Sequence, residues 1–323
     1  MALLLSEANV RSILTMSMAL EAVEEIFRRL ANGRAILHTR RRLDLPDRGF
    51  LHYMAAADIE SGYSGMKIYT SVHGALRFVV PLYRNATGEL AALIEADYLG
   101  QMRTGAASGV ATKYMARVEA RIAGIIGTGG QAKTQLEAIA AVRPLERVRA
   151  YGRDPKRRAA FAKEMSKRLK IRVEAAASAE AAVREADIIV TATQSTTPVL
   201  EGAWIPQGAH INAIGANFPH KRELDEEAIR RCGIIVADSR EQSRLEAGDL
   251  IQVIGEDPAR WSSVRELSDI VSGKLAGRTH PHQVTLFKSN GVAIEDIAVA
   301  ARIFEYAQKH RIGRPLPLWK SEK

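Results

Sequence analysis

The chain has 323 residues, 46% of them hydrophobic and 26% charged, enough to bury a full core and long enough for two domains. Disorder, a collagen-like fibre and a small stapled scaffold are excluded, and the single cysteine, Cys232, leaves no internal disulfide or cysteine-rich metal site, which fits a reducing compartment. A net charge of +9 favours anionic partners; the basic residues are spread along the chain and only 6% of residues are aromatic, so small carboxylates and phosphates are expected rather than nucleic acid.

The start, Met1-Ala-Leu-Leu-Leu-Ser-Glu7, has no basic leader, and charged residues interrupt every apolar run before the roughly 18 residues of a spanning helix, so a cytoplasmic chain is expected, without a membrane partner or a metal. Apolar residues at helical spacing predict a helix over Met16 to Asn32. Strands are predicted at His38 to Leu45, Phe50 to Ala55 and Gly65 to Ser71. A hairpin follows, Arg77 to Arg84 and Glu89 to Glu95, turned by Asn85-Ala-Thr-Gly88. Leu99 to Ala116 then reads as a helix.

Near residue 118 the pattern changes to short apolar strands alternating with amphipathic stretches. The strands are Arg121 to Ile126, Arg147 to Tyr151, Arg172 to Ala175, Asp187 to Thr193, Ala209 to Ile214 and Ile234 to Ala237. This is the signature of a parallel sheet covered on both faces, so residues 118–291 are expected to form a doubly wound, Rossmann-type dinucleotide-binding domain. The last helix, Val292 to His310, has no obvious place in that sheet. Its return to the first domain would make residues 1–117 and 292–323 one discontinuous α+β domain.

Gly127-Thr-Gly129-Gly130-Gln131-Ala132 follows a buried strand and opens a helix, matching G-x-G-x-x-G/A with alanine in the last place. Gly127 allows the sharp turn, Gly129 lets the backbone approach a pyrophosphate, and Ala132 allows close helix packing while the helix N-terminus faces the phosphates. The second strand ends in Tyr151-Gly-Arg153-Asp154-Pro-Lys156-Arg157. With no acid at its tip and Arg153, Lys156 and Arg157 following, a ribose phosphate would be welcomed, which favours NADP(H) over NAD(H); Asp154 leaves NAD(H) possible.

Arg40-Arg-Arg42 on a strand, Lys67 in Gly65-Met-Lys-Ile-Tyr69 and Arg103 before Thr104-Gly-Ala-Ala-Ser-Gly are not needed by a nucleotide domain. A lysine amid strand residues either snorkels or is held in a pocket by an anion. Asp225, in the segment Ile214 to Asp225 that leaves the carboxyl end of a parallel strand, is either a ligand-facing acid or a cap for the helix starting at Glu226.

Gly-Met-Lys67, Arg103-Thr-Gly-Ala-Ala-Ser with Ala111-Thr-Lys-Tyr, the glycine turn, His210-Ile-Asn-Ala-Ile-Gly-Ala-Asn with Arg222-Glu-Leu-Asp225, and Val284-Thr-Leu-Phe-Lys-Ser-Asn-Gly with Glu295-Asp together resemble the ornithine cyclodeaminase and mu-crystallin family. The resemblance covers nearly the whole chain. It implies a homodimer whose discontinuous domain binds substrate and dimerises, with the active site in a cleft facing the nicotinamide. It also implies that Arg40, Lys67 and Arg103 hold a substrate carboxylate, with Arg41 or Arg42 as alternatives to Arg40, and that Asp225 is the catalytic acid and base beside Lys67. Candidate cofactor contacts are Thr104, Gly127, Gly129, Gly130, Gln131, Ala132, Arg153, Thr191, Thr193, Gly215, Ser289 and Gly291.

Cyclodeaminases carry acids at the positions matching His52 and Gly152. Both departures point away from ornithine, toward an NAD(P)H-dependent reductase of an α-imino acid, of the cyclic ketimine, iminosuccinate or iminopropionate type. A cyclodeaminase that recycles its NAD and an NADPH-dependent small-molecule binder of the mu-crystallin type are the alternatives.

Overall fold

The computed structural model describes residues 2–46 and 49–318. In chain order the elements are β1 (Ala2–Leu5), α1 (Glu7–Ile13), α2 (Met16–Ala31), β2 (Ala35–Leu37), β3 (Arg41–Leu45), β4 (Gly49–Asp58), β5 (Tyr63–Val72), β6 (Ala75–Arg84), β7 (Leu90–Glu95) and α3 (Asp97–Met115). There follow β8 (Ile122–Ile126), α4 (Gly130–Val142), β9 (Arg147–Tyr151), α5 (Pro155–Leu169), β10 (Arg172–Ala175), α6 (Ala179–Val183), β11 (Ile188–Thr191), β12 (His210–Ala213), α7 (Glu226–Arg230) and β13 (Cys232–Ala237). The chain ends with α8 (Arg240–Glu246), α9 (Gly248–Ile254), α10 (Pro258–Ser262), β14 (Arg265–Glu266), α11 (Leu267–Val271), β15 (Val284–Lys288), α12 (Ala293–His310) and β16 (Arg314–Leu316).

Two compact units result, Met1–Arg103 with Gly291–Lys323, and Thr104–Asn290. The division lies inside α3, ahead of residue 118. A continuous helix carries the chain from one unit to the other, so the change of sequence pattern marks the end of that helix rather than the division itself.

The first unit is a sheet of order β16-β1-β7-β6-β5-β4-β2, with β3 also paired to β4. Helix α2 starts at the Thr15 cap and buries Ala19, Ala22, Val23, Ile26 and Phe27, one stripe at helical spacing. Helix α12 is different, because it is buried nearly all round from Ala293 to Ala301 and carries Glu295 and Asp296 into the interior. Gly65 on β5 lets it approach, since a Cβ there would lie 2.4 Å from the Pro81 carbonyl oxygen and 2.8 Å from Ile297 Cδ1.

The strand expected over His38 to Leu45 is interrupted. Leu37 pairs with Ala56, but Arg41 pairs with Tyr53, so residues 38–40 oppose only Met54 and Ala55. One extra residue in a ladder unpairs the chain locally and re-aims a side chain. Arg40 is thereby turned inward, 8% exposed, while Arg41 and Arg42 remain exposed on β3.

The second unit is an all-parallel sheet of order β10-β9-β8-β11-β12-β15-β13-β14. Alternate residues of β11 serve opposite faces: Ile188 and Val190 join Leu136, Ile139 and Phe161 of α4 and α5, whereas Ile189 joins Ile211, Leu250 and Trp261. Two covered faces and an order that reverses beside β8 make this a Rossmann-type doubly wound sheet. Strand β15, absent from the sequence reading, inserts between β12 and β13 and is buried at every position. Among the described residues no helix is long and apolar enough to cross a membrane.

Replacing Gly65 by alanine should overpack the interface between β5, β6 and α12 and lower stability by about 1–3 kcal/mol. The check is a chemical denaturation midpoint, which should fall without a change in the denaturant slope.

Candidate functional site

In the first unit, Lys67 projects from β5 on the face that α12 covers and is 3% exposed. Its Nζ donates to Asp296 Oδ1 at 2.8 Å. The same oxygen accepts from Arg103 Nε at 3.1 Å, and Arg103 Nη1 donates to Glu295 Oε2 at 2.6 Å. Arg40 Nη2 donates to the Gly291 carbonyl at 2.8 Å. Asp296 Oδ2 is buried with no hydrogen-bond partner among the described residues.

Arg40, Lys67 and Arg103 thus gather beside Glu295 and Asp296 in a region removed from water. Burial brings the Lys67 pKa down to about 8, with Arg103 pushing the same way and Asp296 opposing. Guanidinium and ammonium groups gathered out of water are the chemistry that can hold a carboxylate.

Two glycines make room for it. A Cβ on Gly100 would lie 2.9 Å from Lys67 Nζ, and one on Gly291 would lie 2.5 Å from Arg103 Nη1, at a φ of +77° that already favours glycine. Gly291, expected as a cofactor contact, therefore accepts from Arg40 through its carbonyl and clears space for Arg103. Beside the cations on the same sheet face, His52 Nδ1 and the Tyr69 hydroxyl share a hydrogen bond of 2.5 Å. The Tyr69 and Phe78 rings lie 5.0 Å apart and Lys67 Nζ sits 5.4 Å from the centre of Phe78. His52 is 3% exposed, and burial, then the charges of Arg40 and Arg42, lower its pKa to about 4, so it is neutral at pH 7.

In the second unit, Gly127 has φ +118° and its N–H donates to the Tyr151 carbonyl at 2.8 Å, holding the turn after β8 against the end of β9. A Cβ there would meet the Ala192 carbonyl oxygen at 2.3 Å. Gly129 is the N-cap of α4 with no side-chain cap, and nothing lies within 4 Å of where its Cβ would be. Ala132 is fully buried and Gln131 half-buried. Open space over an uncapped helix start, beginning at Gly130, fits a pyrophosphate.

At the tip of β9, a Cβ on Gly152 would lie 2.6 Å from Thr128 Oγ1, so a side chain there requires Thr128 to turn aside. Asp154 is committed to capping α5, its Oδ1 accepting from Lys156 N and Arg157 N. Arg153, Lys156 and Arg157 are exposed, while Arg158 bonds back to the Gly152 carbonyl at 3.0 Å.

Several expected cofactor contacts are tied instead to a buried carboxylate. Glu223 accepts from Thr191 Oγ1 at 2.9 Å, Thr193 N at 2.6 Å and Gly215 N at 2.7 Å, joining the chain after β11 to the chain after β12. Burial and neighbouring Asp249 raise its pKa, against Lys288. Lys288 Nζ lies 3.2 Å from Asp249 Oδ2 with both side chains fully buried, a charge contact whose geometry falls short of a hydrogen bond. Ser289 Oγ donates to Asp238 Oδ2, and the Thr104 carbonyl accepts from Gln135 Nε2.

Asp225 has a different task from the acid–base role expected of it. Its Oδ1 accepts from Ala228 N at 2.7 Å, capping α7, and from Gly202 N at 3.0 Å. The carboxylate holds two main-chain donors, and the helix-cap alternative is the one its geometry serves. The sequence reading gave no role to Glu295 and Asp296. Two adjacent acids inside the apolar run from Val292 to Ala301 were the available signal, since such acids stay buried only beside cations.

The ornithine cyclodeaminase/mu-crystallin family description matches residues 1–311. A Delta(1)-pyrroline-2-carboxylate reductase of Bacillus cereus is 41% identical over 239 residues, 74% of this chain and 73% of the relative. The solved Delta(1)-pyrroline-2-carboxylate reductase of Thermococcus litoralis, in complex with NADH and L-proline, is 38% identical with a TM-score of 0.93, covering 97% of this chain and 100% of that one. An archaeal alanine dehydrogenase dimer with bound NAD is 34% identical with a TM-score of 0.92, covering 98% and 99%. With a buried cation cluster in one unit, a glycine turn for a dinucleotide in the other, and these likenesses along its length, the chain belongs to the ornithine cyclodeaminase/mu-crystallin family.

Proposed function

We propose that the chain is an NAD(P)H-dependent oxidoreductase that reduces an α-imino acid to the amino acid. The observation that carries this reading is the gathering of Arg40, Lys67 and Arg103, all buried, beside Glu295 and Asp296, with the Lys67 pKa brought down to about 8. The arginines fix the substrate carboxylate and Lys67 Nζ supplies the proton. The bound reduced nicotinamide supplies the hydride. As the imine carbon gains the hydride its nitrogen takes a proton from the Lys67 ammonium, and the neutral lysine recovers one from solvent. An acid is most effective when its pKa lies near the working pH, as the value of about 8 provides. The fork of each guanidinium suits a carboxylate, and holding the α-carbon fixed supplies the orientation that hydride transfer requires. The Bacillus and Thermococcus relatives, named for reduction of a cyclic imino acid, support this direction.

The cofactor is NADP(H) in preference to NAD(H). The tip of β9 carries no acid, a side chain in place of Gly152 would displace Thr128, Asp154 is engaged by its helix, and Arg153, Lys156 and Arg157 are exposed there. The first unit also forms a homodimer. On the sheet face opposite α12, Leu43 pairs with Leu51 and Tyr53 with Ile68, which pairs in turn with Val79. Leu43 and Tyr53 are 55% and 39% exposed, and these apolar side chains, on a face that also carries Arg41, Thr70 and Arg77, are the surface a second copy would cover.

Four measurements test these assignments. In the reductive direction kcat/KM should fall as pH rises through about 8, because Lys67 must be protonated to give its proton, and the reverse oxidation should rise over the same range. Lys67→Met should lower kcat/KM about 10²–10⁴-fold with cofactor affinity unchanged; a flat pH profile together with near-normal turnover of the variant would remove Lys67 from the chemistry. Arg153→Ala should weaken NADPH by about 1–3 kcal/mol and leave NADH nearly unaffected, read by fluorescence titration; equal losses would end the case for NADP(H). Tyr53→Arg combined with Ile68→Arg should convert a dimer to a monomer in light scattering, and an unchanged mass would place the dimer contact elsewhere.

A further inference from the structure

Three fully buried ionisable side chains, Glu223, Asp249 and Lys288, meet at the carboxyl ends of the strands of the second unit, and the proposed hydride and proton transfers use none of them. Glu223 accepts at both oxygens, at Oε1 from Thr193 N and at Oε2 from Thr191 Oγ1 and Gly215 N, so one carboxylate joins the segment leaving β11 to the segment leaving β12. Asp249 Oδ1 accepts from Glu223 N at 2.7 Å and Leu224 N at 3.0 Å, which fixes the backbone that carries this carboxylate. Lys288 Nζ, 3.2 Å from Asp249 Oδ2, donates to the Ala213 carbonyl at 3.4 Å, so the chain of contacts closes on the last residue of β12. Only a carboxylate can accept from all three donors that Glu223 holds; an amide would set its own N–H groups against one of them.

These segments lie where half of a dinucleotide is expected. In the run β9-β8-β11-β12 the glycine turn follows β8, and the position that reads a ribose is the tip of β9, to one side of it. A dinucleotide crosses the point where the strand order reverses, so its adenosine half lies toward β9 and its nicotinamide half toward the ends of β11 and β12.

Resting on this dinucleotide reading of the glycine turn, we propose that Glu223 is a positioning residue for the nicotinamide half of the cofactor: ionised, it holds the segments leaving β11 and β12 in one arrangement, and on taking up a proton it loosens them. A protonated carboxyl turns its own hydrogen toward a group it had accepted from, so at least one of the three bonds is lost. The charges that face Glu223 are Asp249 from α9, Lys288 from β15 and Lys221 from its own segment. Burial and Asp249 raise the Glu223 pKa against Lys288, so the charge of Asp249 sets how readily the proton is taken up. Cofactor affinity is then greatest above that pKa and falls as the pH drops toward it.

Calorimetric titration of the full chain with NADPH, NADH and adenosine 2′,5′-bisphosphate, from acid to mildly alkaline pH, tests this. In the wild type both dinucleotides should weaken together as the pH falls, which separates Glu223 from the 2′-phosphate, a group that NADH lacks. Glu223→Gln should weaken both dinucleotides about 10- to 100-fold at mildly alkaline pH, the loss of one or two charge-assisted hydrogen bonds, leave the bisphosphate unchanged and abolish the pH dependence. Asp249→Asn, which keeps the acceptor for Glu223 N and Leu224 N and removes the charge, should move the acid limb to lower pH. Thr191→Val deletes a single donor and keeps the test open if Glu223→Gln does not fold; it should weaken the dinucleotides several-fold and spare the bisphosphate. A wild-type affinity that ignores pH, variants that bind both dinucleotides as the wild type does, or a loss shared by the bisphosphate overturns the positioning role and leaves the cofactor reading in place. Wild-type protein that binds neither dinucleotide overturns the cofactor reading and the role of Glu223 with it.

Discussion

Arg40, Lys67 and Arg103 lie out of water against Glu295 and Asp296, and much of the first unit is arranged to make that possible. Taking an ion from water costs several kcal/mol even after relaxation, so each of these side chains persists there only because its neighbours replace the lost solvent. That requirement explains why the last helix returns to the first unit. Helix α12 brings both carboxylates in its first turn, where the positive end of the helix dipole favours them. It also explains the local irregularities: the extra residue that turns Arg40 inward, and glycines 100 and 291 where a side chain would collide with Lys67 or Arg103.

The second unit solves a related problem with one carboxylate. Glu223 is fully buried and receives a hydroxyl and two main-chain N–H groups from the segments leaving β11 and β12. Asp249 in turn accepts from Glu223 N and Leu224 N, and Lys288 offsets the paired negative charges. In an open parallel sheet ligands bind outside the carboxyl ends of the strands, so a hub that fixes two successive loops there prepares the backbone that a cofactor meets. Thr191, Thr193 and Gly215 are the residues through which Glu223 fixes those loops.

The elements whose pattern depends on local physics were legible in the sequence. Strands β9 and β10 match their predicted ends, α2 and α3 lie within two residues of theirs, and the turn at Asn85 to Gly88 is where its residue types require it. What escaped reading depended on partners distant in the chain. β15 is five residues with a lysine in its apolar run, and Asp249 with the Ala213 carbonyl makes Lys288 acceptable there. The choice among Arg40, Arg41 and Arg42 rests on a one-residue shift in pairing with β4, which periodicity within one strand cannot reveal. Asp225 shows the opposite failure: motif order suggested chemistry, whereas the residue types after it, Glu226-Glu-Ala-Ile, already spelled a helix start.

The cluster also shows why one lysine is accompanied by two arginines. A carboxylate bound to Lys67 alone would stabilise its ammonium and hold the proton more tightly, opposing its transfer. Arg103 and Arg40 act in the other direction, since their fixed charges lower the Lys67 pKa while their planar forks suit a carboxylate. Asp296 limits the effect, because its Oδ1 bonds both Lys67 and Arg103 and keeps the lysine charged enough to hold a proton near neutrality. A second lysine in place of either arginine would be free to lose its own proton in the same crowded site. In the proposed reaction the groups that stay protonated are therefore suited to hold the anion, and Lys67, whose proton is loosened by burial, to deliver one.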